Sequence, residues 1–321
     1  MPNNPKPLAL FALTHPWMQE MVLSAAPAEF EVKFVDMADA ASREKLLPQA
    51  DFLMTTSLQP EWTLLLKQCK LVQHQGVGYD DIDVAGLNRA GIPLAITPEG
   101  TVIGVAEHTI LLILALYKQL IHIHQSLSRG EFDNVGWRAN NHFLYQKTLG
   151  IVGFGRIGRR VAQLVTGFDV TLLYHDVVRQ PEAVEQALAA TYVPFDTLLA
   201  RADIVSVHTP LTLETEGLFG PAQFARMKAG AIFINTSRGG TYNMDALYDS
   251  LVAAHVAGAG LDVFNPEPPP PDHPILRLPN VVCTPHIATG TVEAHLLKAQ
   301  AQFDNFSRVL KGEPPHNLVT S

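Results

Sequence analysis

The sequence has few cysteines, no block of basic residues and no long apolar segment. Only two cysteines, Cys69 and Cys283, occur among 321 residues, which excludes a disulfide-rich scaffold. Lysine and arginine number 23 against 31 aspartates and glutamates, a formal charge of −8. A chain with this charge and no basic stripe is a poor candidate for binding nucleic acid or an anionic membrane surface. The longest apolar run, near 110–117, is too short to span a bilayer, so we expect neither kind of partner.

The amino terminus also lacks the basic, apolar and small-residue regions of a secretory signal. Residues 1–7 are polar and rich in proline, and we therefore expect a cytoplasmic protein. Apolar material is abundant, because hydrophobic residues make up 47% of the chain and charged residues 17%. This composition supports sizeable cores and argues against disorder. At roughly 150 residues per domain, the length predicts two domains.

Short apolar runs alternate with segments of helical spacing along most of the chain. The predicted elements of the first half are strands at 7–13, 30–35, 52–55 and 71–74, with helices at 17–25 and 61–68. A second alternation starts at Thr148, and its strand-like runs each end in polar or turn residues. This pattern predicts an α/β fold with a parallel sheet covered by helices.

Residues 102–128 are predicted to form one long helix. The segment contains no proline, and apolar residues cover most of its circumference. A helix that is apolar nearly all round is buried on several sides, so we place it between two domains or at a subunit contact. His122 and His124 lie on different faces of this helix, and we predict no metal site.

A glycine-rich turn follows the strand that starts at Thr148. Gly153, Gly155 and Gly158 form the pattern G-x-G-x-x-G between an apolar strand and an amphipathic helix. The first glycine permits a tight turn, the second lets the backbone approach a pyrophosphate, and the third allows close packing of helix and strand. The helix amino terminus then offers free N–H groups to phosphates. The turn therefore predicts a dinucleotide site.

Asp176 ends the next strand, 18 residues after Gly158. A carboxylate at this place accepts both hydroxyl groups of the adenosine ribose and repels a 2′-phosphate. The sequence therefore favours NAD over NADP, although Arg179 lies close to Asp176 in the chain.

Three charged side chains follow strand-like runs in the half of the chain that carries the glycine turn. Arg238 lies in NTSRGG, Glu267 in LDVFNPEP and His286 in TPHIA. Ligands bind at the carboxyl ends of strands in open parallel sheets, so we expect all three at the edge that binds the cofactor phosphates.

The chemistry of the three residues suits hydride transfer to a ketone. Protonated His286 can donate to the developing oxyanion and, when neutral, take the proton back in the reverse direction. Glu267 would favour the imidazolium and orient its ring. Arg238 can hold a carboxylate and polarise the neighbouring carbonyl.

Seven motifs in order resemble the D-isomer-specific 2-hydroxyacid dehydrogenase family. They are GVGYDDIDV at 76–84, VAEHT at 105–109, GFGRIG at 153–158, HTPLT at 208–212, NTSRGG at 235–240, LDVFNPEP at 261–268 and TPHIA at 284–288. The resemblance covers nearly the whole chain. It implies two Rossmann-like, doubly wound domains: a discontinuous substrate domain of residues 1–102 and 288–321, and an NAD-binding domain of residues 103–287. It also implies a homodimer, with the long helix region helping to form the contact.

The resemblance assigns roles to individual residues of this sequence. The family's catalytic arginine, glutamate and histidine match Arg238, Glu267 and His286. Its loop that binds the substrate carboxylate through backbone N–H groups matches Gly76, Val77 and Gly78. Further cofactor contacts match Arg156, Ile157, Asp176, Pro210, Thr236 and Asp262, the last near the nicotinamide carboxamide. One departure is Gln75, since family members often have a small residue just before the first glycine of the substrate loop.

The implied activity is NAD-dependent interconversion of a small 2-keto acid and its D-2-hydroxy acid, with glyoxylate and hydroxypyruvate as leading substrates. D-3-Phosphoglycerate dehydrogenase is the alternative, although no extra basic cluster is evident for the phosphate. Formate oxidation is disfavoured because Glu267 stands where formate dehydrogenases typically have glutamine, whereas phosphite oxidation stays open. An NAD(H)-sensing corepressor is the alternative from another functional class, since a fold does not determine a function.

Overall fold

The computed structural model describes residues 5–320. Two units make up the chain: unit 1 runs to Thr101 and resumes at Gly290, and unit 2 comprises Val102–Thr289. Each unit contains one sheet, and all strands within each sheet pair in parallel. The predicted α/β class with two parallel-sheet domains is therefore confirmed. The assignment of unit 1 as the substrate domain stays a prediction.

The sheet of unit 1 has five strands in the order β2-β1-β3-β4-β5. They are β1 (Leu8–Phe11), β2 (Glu31–Phe34), β3 (Phe52–Thr55), β4 (Leu71–His74) and β5 (Leu94–Ala95). The helices of this unit are α1 (Pro16–Ala25), α2 (Ala40–Leu46), α3 (Pro60–Thr63), α4 (Val84–Ala90) and α12 (Val292–Leu310).

Both faces of the sheet are buried at β1 and β3, which explains why these two strands are apolar runs rather than alternating ones, whereas the edge strand β2 alternates charged and apolar residues and is partly exposed. Leu10 and Leu53 point into one core cluster, whereas Phe11 and Phe52 point into the other. Helix α12 covers the second face: a ring of α12, that of Phe306, stacks on Phe52 with centroids 4.7 Å apart. Aromatic packing therefore holds the last long helix of the chain against strands from its beginning.

The sheet of unit 2 has seven strands in the order β12-β11-β10-β9-β6-β7-β8. They are β6 (Thr148–Val152), β7 (Thr171–His175), β8 (Ala190–Tyr192), β9 (Ile204–Val207), β10 (Ala231–Asn235), β11 (Val256–Leu261) and β12 (Val281–Cys283). The helices are α5 (Thr101–Tyr117), α6 (Leu120–Ser128), α7 (Arg156–Val165), α8 (Glu182–Leu188), α9 (Phe195–Arg201), α10 (Pro221–Arg226) and α11 (Met244–Val252). Helix α5 starts at Thr101, the residue at which the first stretch of unit 1 ends.

The prediction of one helix over 102–128 is wrong. Gln119 takes the left-handed conformation with φ of 48°, and α5 and α6 meet there at a bend of 59°. The segment contains neither proline nor glycine at this point. Because the usual residues that break a helix are absent, the sequence carries no local signal for the bend.

Smaller differences concern short elements. The helix predicted at 61–68 is only the four-residue α3, and β5 and β8, of two and three residues, were not predicted. Strands this short are held by pairing with a neighbour, as Leu94 pairs with Val72. Such pairing is a long-range contact that local sequence patterns do not contain.

Within residues 5–320, no single helix has both the length and the apolar composition of a membrane span. Helices α5 and α6 meet those criteria only when taken together across their bend.

Candidate active site

The glycine turn between β6 and α7 has the geometry expected of a phosphate cradle. Gly153 has φ of +89°, and a Cβ atom there would lie 2.7 Å from the carbonyl oxygen of His208. A Cβ atom at Gly158 would lie 2.3 Å from the oxygen of Gly153, whereas the space beside Gly155 is open. The first and third positions therefore require glycine, and the second leaves room for a ligand at the amino terminus of α7.

Asp176 lies beside this turn. Its Oδ2 atom accepts a hydrogen bond from the Phe154 N–H at 2.6 Å, which places the carboxylate next to the cradle. Arg179 lies near Asp176 in the sequence and could favour a 2′-phosphate. In the structure it donates through Nε and Nη2 to both oxygens of Glu185 at 2.9 and 2.8 Å. A guanidinium committed to a carboxylate is less available to a 2′-phosphate, so this geometry fits NAD.

Two buried polar atoms at the end of β9 have no hydrogen-bond partner among the described residues: His208 Nδ1 and Thr209 Oγ1. Burial lowers the pKa of His208 to about 3, so its ring is neutral. Buried polar atoms are normally satisfied, and both residues adjoin Gly153. The unpaired atoms, the open face at Gly155 and the carboxylate of Asp176 together fit a dinucleotide.

The other predicted cofactor residues lie at carboxyl ends of strands or at the start of α7. Arg156 and Ile157 are the first two residues of α7. The exposed Pro210 follows β9, and buried Thr236 follows β10, with its hydroxyl 3.1 Å from that of Thr109. Asp262, the residue after β11, is fully buried.

His286 and Glu267 form the pair that the chemistry requires. His286 Nδ1 lies 2.8 Å from Glu267 Oε2, and Glu267 Oε1 accepts from the Phe264 N–H at 2.9 Å. About half of the His286 side chain is exposed, 47%, and within the described residues its Nε2 atom has no hydrogen-bond partner. The ring is thus held through one nitrogen and presents the other.

The charges of the two residues stabilise each other. The hydrogen bond to Glu267 raises the pKa of His286, against the opposing effects of burial and of the Arg238 charge. Burial acts to raise the pKa of Glu267, but the hydrogen bonds from His286 and from the Phe264 N–H, with the nearby positive charges, outweigh it and leave the pKa lowered. An imidazolium–carboxylate pair is therefore favoured near neutral pH.

Arg238 follows β10 on a loop that packs tightly against the segment leading to Glu267. A Cβ atom at Gly239 would lie 1.9 Å from the carbonyl carbon of Phe264, so only glycine permits this approach. Buried Asn235 and Thr241 hold the loop by donating to the Arg238 carbonyl oxygen at 3.2 and 2.7 Å. The positive charge of Arg238 acts on both His286 and Glu267, so unit 2 brings the three predicted catalytic residues together.

The backbone of His286 is strained, with φ of 51°, and Asp262 supports this turn. The Asp262 carboxylate accepts hydrogen bonds from Thr284 Oγ1 at 2.6 Å, from the Ile287 N–H at 2.9 Å and from the Ala288 N–H at 2.9 Å. Non-glycine residues with positive φ persist where surrounding contacts impose them, and they concentrate at functional sites. Asp262 therefore positions the turn that presents His286.

His108 extends this network, a role that the sequence did not predict. Its Nε2 atom lies 2.9 Å from Thr284 Oγ1. Because that hydroxyl donates to Asp262, it accepts from His108, which assigns the proton to Nε2 of His108. Both residues lie inside family-like motifs, VAEHT and TPHIA, but the pairing spans 176 positions of sequence and is visible only in the fold.

The predicted substrate loop lies in unit 1, directly after β4. The Gly76 N–H donates to His74 Nδ1 at 2.9 Å. The N–H groups of Val77 and Gly78 have no such partner within residues 5–320, and they are half-buried. Of the three residues, two therefore offer free donors to an anion.

Comparison with known proteins identifies the family. The model of the D-isomer specific 2-hydroxyacid dehydrogenase NAD binding domain matches residues 110–288. A D-3-phosphoglycerate dehydrogenase of Archaeoglobus fulgidus is 37% identical over 89% of this chain, which spans only 55% of that relative. A glyoxylate reductase of Korarchaeum cryptofilum is 38% identical over 83% of this chain and 81% of its own length.

A solved structure agrees. A protein from Polaromonas sp. JS6 66, assigned to the NAD-binding D-isomer specific 2-hydroxyacid dehydrogenases, superposes with a TM-score of 0.86 at 28% identity, covering 99% of this chain and 100% of its own. The match to the NAD binding domain lies within unit 2, where the glycine cradle and the three charged residues are found. The chain therefore belongs to the D-isomer specific 2-hydroxyacid dehydrogenase family and uses NAD as its cofactor.

Proposed function

We propose that the protein is an NAD-dependent dehydrogenase that interconverts a small 2-keto acid and its D-2-hydroxy acid, with glyoxylate and hydroxypyruvate as the leading substrates. The observation that carries this proposal is the 2.8 Å contact between His286 Nδ1 and Glu267 Oε2. It leaves Nε2 of the same ring available in the unit that binds NAD. The name of the Korarchaeum relative, glyoxylate reductase, supports the choice of substrate.

Each residue has a defined part in the reaction. Bound NADH supplies the hydride to the carbonyl carbon, so no protein nucleophile is needed. His286 donates the Nε2 proton to the carbonyl oxygen as negative charge develops there, and in the reverse direction the neutral ring takes the hydroxyl proton. Glu267 holds the ring and stabilises its charge. Arg238 binds the substrate beside the carbonyl and polarises it.

The substrate carboxylate is bound by backbone donors. The free N–H groups of Val77 and Gly78 suit a carboxylate, as in other anion sites built from successive main-chain donors. Residues 76–78 have no charged side chain, so this loop recognises a carboxylate through the placement of its backbone N–H groups. The balanced reduction consumes one keto acid, one NADH and one proton, and yields one hydroxy acid and NAD.

The test is an assay of NADH oxidation with glyoxylate, hydroxypyruvate and pyruvate as separate substrates. A reaction without keto acid is the control, and the series is repeated with NADPH. We expect reduction of at least one small 2-keto acid, with NADH preferred. Binding of NADH without turnover of any 2-keto acid in either direction would contradict the proposal.

Oxidation of 3-phosphoglycerate is the second candidate, because the Archaeoglobus relative carries the name D-3-phosphoglycerate dehydrogenase. A phosphate group needs additional donors beyond those that bind a carboxylate. The same assay with D-3-phosphoglycerate and NAD distinguishes the two candidates, since turnover of the phosphorylated acid in preference to glyoxylate and hydroxypyruvate would favour the second.

We also propose that the protein acts as a homodimer. Large apolar side chains are exposed on α5, on α6 and on the segment that follows: Leu111, Leu120, Ile121, Leu127, Phe132, Val135 and Phe143. Large apolar side chains exposed in this number along one segment are typical of subunit contacts. Sedimentation analysis of the wild type and of a Leu120→Glu, Leu127→Glu variant tests this, and a wild-type monomer at micromolar concentration would refute it.

A further inference from the structure

Glu185 is a nearly buried carboxylate on α8 that accepts three hydrogen bonds. Its side chain is only 10% exposed. Arg179 donates to both of its oxygens, at 2.9 and 2.8 Å, and the Tyr174 hydroxyl donates to Oε1 at 2.6 Å. The hydrogen bonds from Arg179 and Tyr174 lower the pKa of Glu185 to about 2, so the group is an anion at neutral pH. A buried carboxylate with these donors is a strong anchor for a guanidinium.

These contacts restrain a side chain that is otherwise largely in solvent. The Arg179 side chain is 64% exposed. Its Nε and Nη2 groups form a forked pair with Glu185, and its Cζ atom lies 5.7 Å from the centre of the Tyr192 ring, within the range of a cation–π contact. Arg179 is therefore held against α8 and β8 by two contacts of different kinds.

The same network reaches the glycine turn through stacked rings. Tyr174 stacks on Phe154 with ring centroids 4.2 Å apart, and Phe154 belongs to the glycine turn and donates its N–H to Asp176. The Tyr174 hydroxyl also accepts from the Gln180 N–H at 2.9 Å. Hydrogen bonds therefore hold both ends of the segment 176–180, and Arg179 lies within it.

The place of Arg179 in this segment connects its restraint to the choice of cofactor. The chain turns back at Asp176, because the Val178 N–H donates to Asp176 Oδ1 at 3.4 Å. Arg179 is the next residue, about 3.8 Å further along the chain, so its side chain starts close to the Asp176 carboxylate. In dinucleotide sites of this kind the carboxylate binds the ribose of NAD, whereas a nearby arginine accommodates the 2′-phosphate of NADP. The segment thus contains groups suited to either cofactor.

We propose that Glu185 determines cofactor specificity by holding Arg179 against α8 and so withholding its guanidinium from a 2′-phosphate. Glu185 is a positioning residue, because it acts through Arg179 rather than by contact with the cofactor. Discrimination against NADPH then has two sources, the repulsion by Asp176 and the restraint of the nearby cation. The inference rests on the use of NAD and does not depend on which 2-keto acid is reduced.

The experiment measures the dissociation constants of NADH and NADPH by fluorescence titration, without keto acid, in the wild type and in Glu185→Gln. Glutamine keeps the volume and can still accept from Tyr174, but it loses the charge and one acceptor of the forked pair. A guanidinium released to a phosphate forms a charge-assisted hydrogen bond that solvent partly screens, so we expect the affinity for NADPH relative to NADH to rise roughly 5- to 10-fold. Calorimetry with adenosine 2′,5′-bisphosphate and adenosine 5′-phosphate should show the same change for the ribose end alone.

Three further variants separate this effect from a change in overall charge or stability. Glu182→Gln is the matched control: it removes the same charge from the exposed start of α8, where the carboxylate accepts from Gln186 Nε2 at 2.8 Å, and the ratio of affinities should not change. Adding Arg179→Met to Glu185→Gln should return the ratio to the wild-type value, because the gain requires the guanidinium. Arg179→Met alone should leave the ratio unchanged, since Glu185 already withholds this side chain.

Two results in the Glu185→Gln background would overturn the proposal: an unchanged ratio in the folded variant, verified by thermal melting, or a gain that survives the added Arg179→Met. Weaker binding of NADPH in Arg179→Met alone would also overturn it, because the guanidinium would then contact the 2′-phosphate while Glu185 is present. This variant alters an exposed side chain and so tests the proposal even if Glu185→Gln does not fold. A wild type that binds NADPH more tightly than NADH would instead refute the cofactor preference on which the inference rests.

Discussion

Replacing Glu267 with glutamine tests the electrostatic role of this residue apart from its shape. Glutamine has nearly the same volume, and its carbonyl oxygen accepts the same hydrogen bond from His286 Nδ1, which lies 2.8 Å from the carboxylate. The substitution removes the negative charge, and it also replaces the oxygen that accepts from the Phe264 N–H with an amide NH2 group, so that hydrogen bond is lost as well. Because that charge raises the pKa of His286, its loss lowers the pKa of the imidazole toward and below its ordinary value.

The size of the effect follows from the kind of hydrogen bond that is lost. A charge-assisted hydrogen bond contributes about 1.5–3 kcal/mol and a neutral one about 1 kcal/mol. Both side chains are more than one third exposed, so solvent screening reduces the difference to roughly 1 kcal/mol. We expect kcat/KM for reduction, measured at a pH above the wild-type imidazole pKa, to fall by about 5- to 10-fold from this cause.

The sign of the pH dependence distinguishes this cause from general damage. Reduction requires protonated His286, so its kcat/KM falls as pH rises through the His286 pKa, and in Glu267→Gln this fall should occur at lower pH. Oxidation requires the neutral ring, so its rise should also move to lower pH. The assay is a pH series of initial rates in both directions, with NADH affinity measured by fluorescence as a control. An unshifted profile in the folded variant would refute the reasoning.

Three further substitutions address the other parts of the site. Arg238→Lys loses the forked donor pair, and we expect KM for the keto acid to rise at least about tenfold in steady-state assays. Gly153→Ala forces a side chain to φ of +89° and against His208, so calorimetry should show NADH affinity lowered by about tenfold or more, or thermal melting should show a loss of about 1–3 kcal/mol of stability. Asp176→Ala should lower the preference for NADH over NADPH by about tenfold, measured as the ratio of the two kcat/KM values.

The parts of the fold that were predictable are those governed by local chemistry. The alternation of apolar runs and helical spacing indicated parallel α/β units, and three glycines of defined spacing indicated the phosphate cradle. Gly153 is an example, because its positive φ belongs to a tight turn, and the spacing of the three glycines already indicates that turn. The same holds for β3 and β4, whose bounds equal those of the strands predicted at 52–55 and 71–74.

Features that depend on long-range contacts were not predictable. The bend at Gln119 lacks a glycine or proline, and the pairing of His108 with Thr284 joins residues 176 positions apart. The sequence around Lys298 is that of an amphipathic helix and does not indicate that this lysine is only 4% exposed. Its burial results from the packing of α12 on the first sheet, through rings such as Phe306.

The most direct test of the account is the kinetics of His286→Ala. The account assigns proton transfer to this ring and no part in holding the dinucleotide, so kcat for 2-keto acid reduction should fall by about 10²- to 10⁴-fold while the dissociation constant of NADH stays unchanged. Wild-type kcat in His286→Ala, or an equal loss of NADH binding and turnover, would contradict the claim that Arg238, Glu267 and His286 form the catalytic site.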